Sequence, residues 1–115
     1  MKALCINSSS SVAEVCVING EQISSEYVQS PHSEKLMVAV DKLLTNSGLE
    51  IQNLDTFCVV VGPGSFTGVR IAVATIKGMA VVNRNAKIVS LTNFDLTAKN
   101  VKDSHDYLTV LDSGN

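Results

Sequence analysis

The chain has 115 residues, enough for one modest hydrophobic core and too few for two independent domains. Apolar residues make up 45% and charged residues 17%, a balance that favours a folded chain over a disordered one. Nine Lys and Arg against eleven Asp and Glu give a net charge of -2, and the chain has two Tyr, three Phe and no Trp. It therefore lacks the basic excess and the stacking platforms that unaided binding of a nucleic acid would need.

The opening Met1 to Asn7 is too short for the hydrophobic region of a signal peptide, and no span reaches membrane length. Cys5, Cys16 and Cys58 are odd in number, far apart and each inside an apolar run, as expected of buried reduced thiols in a cytoplasmic protein. Residues 2 to 6 and 12 to 18 read as strands separated by Asn7 and the serines Ser8 to Ser11. Asn19-Gly20 predicts a tight hairpin into a third strand at about 21 to 29, which makes an antiparallel meander. After Pro31, the row Leu36, Val40, Leu43, Leu44 and Ser47 marks one face of a helix that Gly48 stops. Residues 56 to 61 form an unbroken apolar run, as a strand covered on both faces does. A glycine loop and a long apolar helix from about 67 to 83 follow, then a strand at 87 to 90, which is a parallel crossover unit. A weaker helix at 93 to 101 and a strand at 107 to 111 complete an α/β pattern in the order βββαβαβ.

The loop Gly62-Pro63-Gly64-Ser65-Phe66-Thr67-Gly68 lies between a buried strand and a helix, where backbone N–H groups can face an anion. Its glycine spacing is not that of a dinucleotide fingerprint, and Val69-Arg70 follows Gly68 where a Walker loop needs Lys and then Ser or Thr. Ser65 lacks the flanking glycines of a nucleophile elbow. A tight turn capped by Ser65 or Thr67 accounts for the pattern. Against a purely structural turn stands Arg70, a cation at the positive end of a helix, with no acidic residue between Asp55 and Asp95. The candidate anion- or partner-binding residues are Gly62, Gly64, Ser65, Thr67, Gly68 and Arg70.

Residues 62 to 70 resemble the G-P-G-S-F-T-G-(L/V)-R signature of the TsaB (YeaZ) family, and His32-Ser33-Glu34-Lys35-Leu36 is similar to that family's H-S-E-x-L. The resemblance implies an actin-like, Hsp70-like ATPase lobe with a ribonuclease H-like sheet. It extends over essentially all of residues 1 to 111, and it implies an N-terminal lobe at residues 1 to 106 with residues 107 to 115 as the start of a second lobe. It further implies a non-catalytic subunit that binds the catalytic paralogue TsaD. With the ATPase TsaE joining, the complex transfers threonylcarbamoyl to an adenosine of tRNA. On that reading ATP belongs to the whole complex, this chain binds no cofactor alone, and tRNA is met only through the assembly. Asn7 stands where the family typically carries an Asp that, in active relatives of the wider fold, helps position a metal-bound nucleotide. His32 and His105 form no H-x-x-x-H, so the paralogue's metal site is not expected here.

The 67 to 83 helix is apolar on nearly every face except a stripe through Arg70, Lys77 and Arg84. One sheet cannot cover such a helix, and its small residues would let another helix approach closely. The residues expected to meet a partner are His32, Leu36, Met37, Ala39, Val73, Ala74, Lys77, Gly78 and Val81, with self-association into a dimer expected when the partner is absent. The alternatives left open are a small nucleotide-binding, kinase-like lobe and a simple homodimerisation module.

Overall fold

The computed structural model describes residues 1–29 and 33–92. The predicted helix at 93 to 101, the strand at 107 to 111, the lobe boundary at 106/107, and His32 and His105 lie outside the described residues. Strands β1 (Lys2–Asn7), β2 (Val12–Asn19) and β3 (Gln22–Gln29) form the antiparallel meander. Helix α1 (Ser33–Asn46) crosses to β4 (Thr56–Val60) through a short 3-10 turn at Ile51–Asn53, and helix α2 (Phe66–Val82) leads from β4 to β5 (Lys87–Leu91). The five strands make one sheet in the order β3-β2-β1-β4-β5, with β1–β4 and β4–β5 parallel.

Two expectations need correction. The hairpin turn is centred on Gly20 and Glu21, one residue later than predicted, because Asn19 pairs with Gln22 as the last strand residue. The Asn19 amide also donates to the Ser47 carbonyl at 3.2 Å, a tie to the end of α1 that a turn position would forfeit, and Gly20 supplies a positive φ of +65°. The second correction concerns Arg84. Helix α2 ends at Val82, so the third cation of the stripe follows the helix rather than riding on it.

Strand alternation sorts the sheet into two faces. Leu4, Ile6, Val15, Val17, Phe57 and Val59 pack under both helices, against Leu36, Val40, Leu43 and Leu44 of α1 and Ala72, Ile76 and Met79 of α2. Each large side chain fully buried there contributes roughly 1.5–3 kcal/mol. The opposite face carries Ala3, Cys5, Cys16, Ile18, Cys58, Val60 and Leu91, also buried. The three cysteines are not disulfide-bonded and sit side by side in register, Cys16 opposite Cys5 and Cys5 opposite Cys58. Burial, with smaller contributions from Glu14 and Cys58, pushes the Cys16 thiol up to about 12, which keeps it protonated and unreactive.

The end of α2 is fixed by one side chain. Asn83, buried, donates to the carbonyls of Ile51 and Leu54, each at 2.8 Å, and accepts from the N–H groups of Asn85 and Ala86. That clamp ties α2 to the 3-10 turn beside α1, so the two helices present a common outer surface.

Candidate functional site

Two features of the predicted site are described: the glycine loop and the outer face of α1 and α2. The loop is locked to the serine turn after β1. The buried Asn7 side chain accepts from the Ser9 N–H at 3.2 Å and from the Ser9 hydroxyl at 2.7 Å, which is a local turn of the kind asparagine favours. The Ser65 N–H in turn donates to the Ser9 carbonyl at 2.6 Å. A Cβ on Gly64 would stand inside 3.0 Å of the Ser9 carbonyl oxygen, and one on Gly68 inside 3.0 Å of the Ser8 carbonyl oxygen. Both glycines therefore permit one backbone to lie against another.

Ser65 caps α2 by accepting from the Gly68 N–H at 3.2 Å, and the Val69 N–H donates to the Ser65 carbonyl. Three amides of the loop and first turn, on Ser65, Gly68 and Val69, are thus engaged within the chain. Gly62 is buried, whereas Thr67 and Arg70 are exposed and, with Ile71 and Ala74, line a hollow of about 350 Å³. The Arg70 guanidinium sits 5.5 Å from the centroid of the Phe66 ring, and Phe66 is itself 74% exposed. That stacking gives the cation an aromatic neighbour where an anion was expected. Among the described residues no group of three His, Cys, Asp or Glu side chains could hold a metal ion.

The second feature is an apolar groove of about 420 Å³ between the helices, lined by Met37, Ile51, Ala74, Thr75, Gly78, Met79 and Val82. Ala74, Lys77, Gly78 and Val81 are exposed, as the helical spacing predicted, with Val81 at 66%. Met37 and Val73 are half-buried. Leu36 and Ala39 do not belong to this surface: both are buried in the core beneath α1, because they fall on the same helical face as Val40 and Leu43. Val38 of α1 and Val82 of α2 are 66% and 57% exposed and add to the apolar exposure of the two helices.

Sequence reasoning missed two residues. Phe66, read only as part of a motif, turns out to be the exposed stacking partner of Arg70. Glu14 is a carboxylate on the buried strand β2, and burial pushes it up to about 7. Its signal was present as one acid inside the apolar run from Val12 to Ile18.

Comparison with known proteins agrees with this architecture. The family model for TsaD, tRNA N6-adenosine threonylcarbamoyltransferase, matches residues 15–115. The tRNA threonylcarbamoyladenosine biosynthesis protein TsaB of Haemophilus influenzae is 28% identical over 104 residues, covering 89% of this chain and 44% of that protein. TsaB of Bacillus subtilis is 34% identical over 83 residues, covering 70% of this chain and 36% of that protein. Among solved structures, YeaZ from Pseudomonas aeruginosa superposes with a TM-score of 0.77 at 24% identity, over 90% of this chain and 48% of that one. The chain thus spans less than half the length of these relatives. The glycine-loop signature, the five-stranded sheet with two helices on one face and these matches together show that the chain belongs to the TsaB/YeaZ family of the actin-like, glycoprotease-like superfamily.

Proposed function

We propose that this chain is one lobe of a non-catalytic scaffold subunit in the synthesis of threonylcarbamoyladenosine on tRNA, and that its α1–α2 face docks a TsaD-like catalytic paralogue. The observation that carries this reading is the exposed apolar surface around Ala74, Gly78, Val81 and Val38 in a member of this family. Large apolar side chains gathered on one surface are characteristic of protein contacts, and the small side chains at positions 74 and 78 allow a helix to come close. A TsaE-like ATPase joins the assembled pair, ATP serves the assembly, and tRNA is reached through it. The locked glycine loop supports a structural part for that segment, since its glycines hold backbone against backbone and Ser65 caps a helix.

Capture of the co-expressed paralogue tests the docking face. Ala74→Glu places a charge on an exposed helical position and should weaken capture about 10-fold or more while leaving the circular dichroism spectrum unchanged. Undiminished capture would remove the face from the interface. For the loop, the expected result is no release of phosphate from ATP by the chain alone above a buffer blank. Release that scales with protein and is lost in Ser65→Ala would reassign the loop to a nucleotide.

A further inference from the structure

Among the described residues the sheet has two edges, and they are built differently. β5 is five residues long and opens on Lys87, whereas β3 is eight residues long, pairs with β2 at every position without a bulge, and contains neither lysine nor proline. Short length, lysine, proline and bulges are the usual means by which an edge is kept from pairing with another chain, and β3 has none of them. Its one charged residue, Glu26, is turned toward α1 and pairs with Lys42 at 2.9 Å.

The hairpin decides which backbone groups meet that edge. Asn19 and Gln22 form the bonded pair that closes a two-residue turn, so Gln22, Ser24, Glu26 and Val28 direct their N–H and C=O groups to β2, and the residues between them direct theirs outward. The Gln29 carbonyl agrees with this phase, because it accepts from the Lys35 ammonium at 3.3 Å rather than from β2. Ile23, Ser25 and Tyr27 stand opposite Ile18, Cys16 and Glu14, which puts their side chains on the sheet face away from the helices. There Ile23 is 44% and Tyr27 53% exposed.

Consider a second copy added antiparallel to this edge, about a two-fold axis normal to the sheet. Outward residues must meet outward residues, which leaves few registers. With the axis through Ser25, each Ser25 bonds to its own copy and Ile23 lies directly opposite Tyr27, twice, so that the exposed apolar side chains form one strip. Glu26 falls opposite Ser24, and Glu21 arrives opposite Gln29, beside the Lys35 that holds the Gln29 carbonyl. Moving the axis to Glu26 would set two like charges against each other, and moving it to Ser24 would set Tyr27 against Glu21 and Ile23 against Ser25. We propose that β3 pairs with β3 of a second copy about an axis at Ser25, joining the two sheets into one, with an ion pair between Lys35 and Glu21 at each end. The groove between the helices takes no part, because Lys35 and Lys42 mark the β3 flank of α1 and Met37 marks the flank toward α2.

This inference does not depend on the docking of a paralogue. Within one chain Glu21 and Lys35 sit at opposite ends of β3, about 26 Å apart at the rise of an extended strand, so the two meet only across the axis. Sedimentation velocity on the full chain carrying Ala74→Glu, in which a charge on the α1–α2 face opposes association there, should still show a dimer that forms with concentration. In that background Ser25→Pro removes an N–H that points away from β2, spares the ladder within the monomer, and should weaken the dimer about 30-fold or more. Lys35→Glu and Glu21→Lys should each weaken it about 10-fold, and the two together should restore it. The charge exchange decides the matter by itself should Ser25→Pro disturb the circular dichroism spectrum. A monomeric Ala74→Glu chain at high micromolar concentration, a dimer unchanged by a folded Ser25→Pro, or a combined charge exchange no tighter than either single variant would each overturn the proposal.

Discussion

Gly68→Ala is expected to destabilise the chain by about 3 kcal/mol or more, whereas Gly78→Ala, ten residues later on the same helix, is expected to stabilise it by about 0.5–1 kcal/mol. The two substitutions are chemically identical and differ only in surroundings. At Gly68 the new methyl group would stand inside 3.0 Å of the Ser8 carbonyl oxygen, and that oxygen belongs to backbone that cannot rotate aside. Relief requires lifting α2 from the serine turn, which would stretch the bond from the Ser65 N–H to the Ser9 carbonyl and disturb the cap on Gly68. At Gly78 nothing lies within 4 Å of the added carbon, so alanine only restricts the unfolded chain and shields the helix backbone. Urea midpoints for both variants against wild type measure the contrast. Equal shifts would mean that the close approach at Gly68 does not hold in solution. The comparison separates two uses of glycine on one helix: Gly68 serves packing within the lobe, and the exposed Gly78 forgoes helix stability at a place where a second helix can come close.

The sheet and both helices were legible because their signals are local. The β-branched run at 56 to 60 is a covered strand, the row Leu36, Val40, Leu43 and Leu44 is a buried helical face, and small and charged side chains gather on the exposed side of α2. The glycine loop was only half legible. Its position between strand and helix was plain, yet its spacing, which matched neither the dinucleotide, the Walker nor the nucleophile pattern, did not say what its glycines meet, because what Gly64 and Gly68 touch is a turn more than fifty residues earlier in the chain. No window of sequence displays that contact. Leu36 and Ala39 were misplaced for a related reason: membership of a family-like motif and small size suggested a partner surface, whereas the phase set by Val40 and Leu43 turns both inward. Sequence also could not tell that Arg70 would lean over Phe66, since a neighbour four residues back on a helix is reached only if both rotamers point outward.

Stability is expected to fall as the pH rises from about 4.5 to about 7, and Glu14 is the residue responsible. It lies on β2 opposite Asn7 of β1 and Tyr27 of β3, two residues from the buried Cys16, and is itself buried. Burial disfavours its charged form and raises it from 4.5 to about 7. Between those values the folded chain holds a proton that the unfolded chain has released, so unfolding gives up a proton and becomes easier as pH increases. The contribution is fully present below pH 4.5 and lost above about pH 7. Each unit is worth about 1.4 kcal/mol, and allowing for water at the edge of the carboxylate leaves about 2 kcal/mol over the window. Glu14→Gln keeps the shape and removes the titration. The variant should match wild type near pH 4.5 and exceed it by about 2 kcal/mol at pH 8, with other titrating groups cancelling in the difference. Because Glu14 pairs with Asn7, whose side chain holds the serine turn under Gly64 and Gly68, its ionisation should loosen the end of the sheet on which α2 begins. Amide exchange at Ser9 and Ser65 should accordingly accelerate at pH 8 beyond the intrinsic rise in wild type, and not in Glu14→Gln. Parallel stability curves for the two proteins between pH 4.5 and 8 would show that the carboxylate reaches solvent freely and that this strand end carries no such sensitivity.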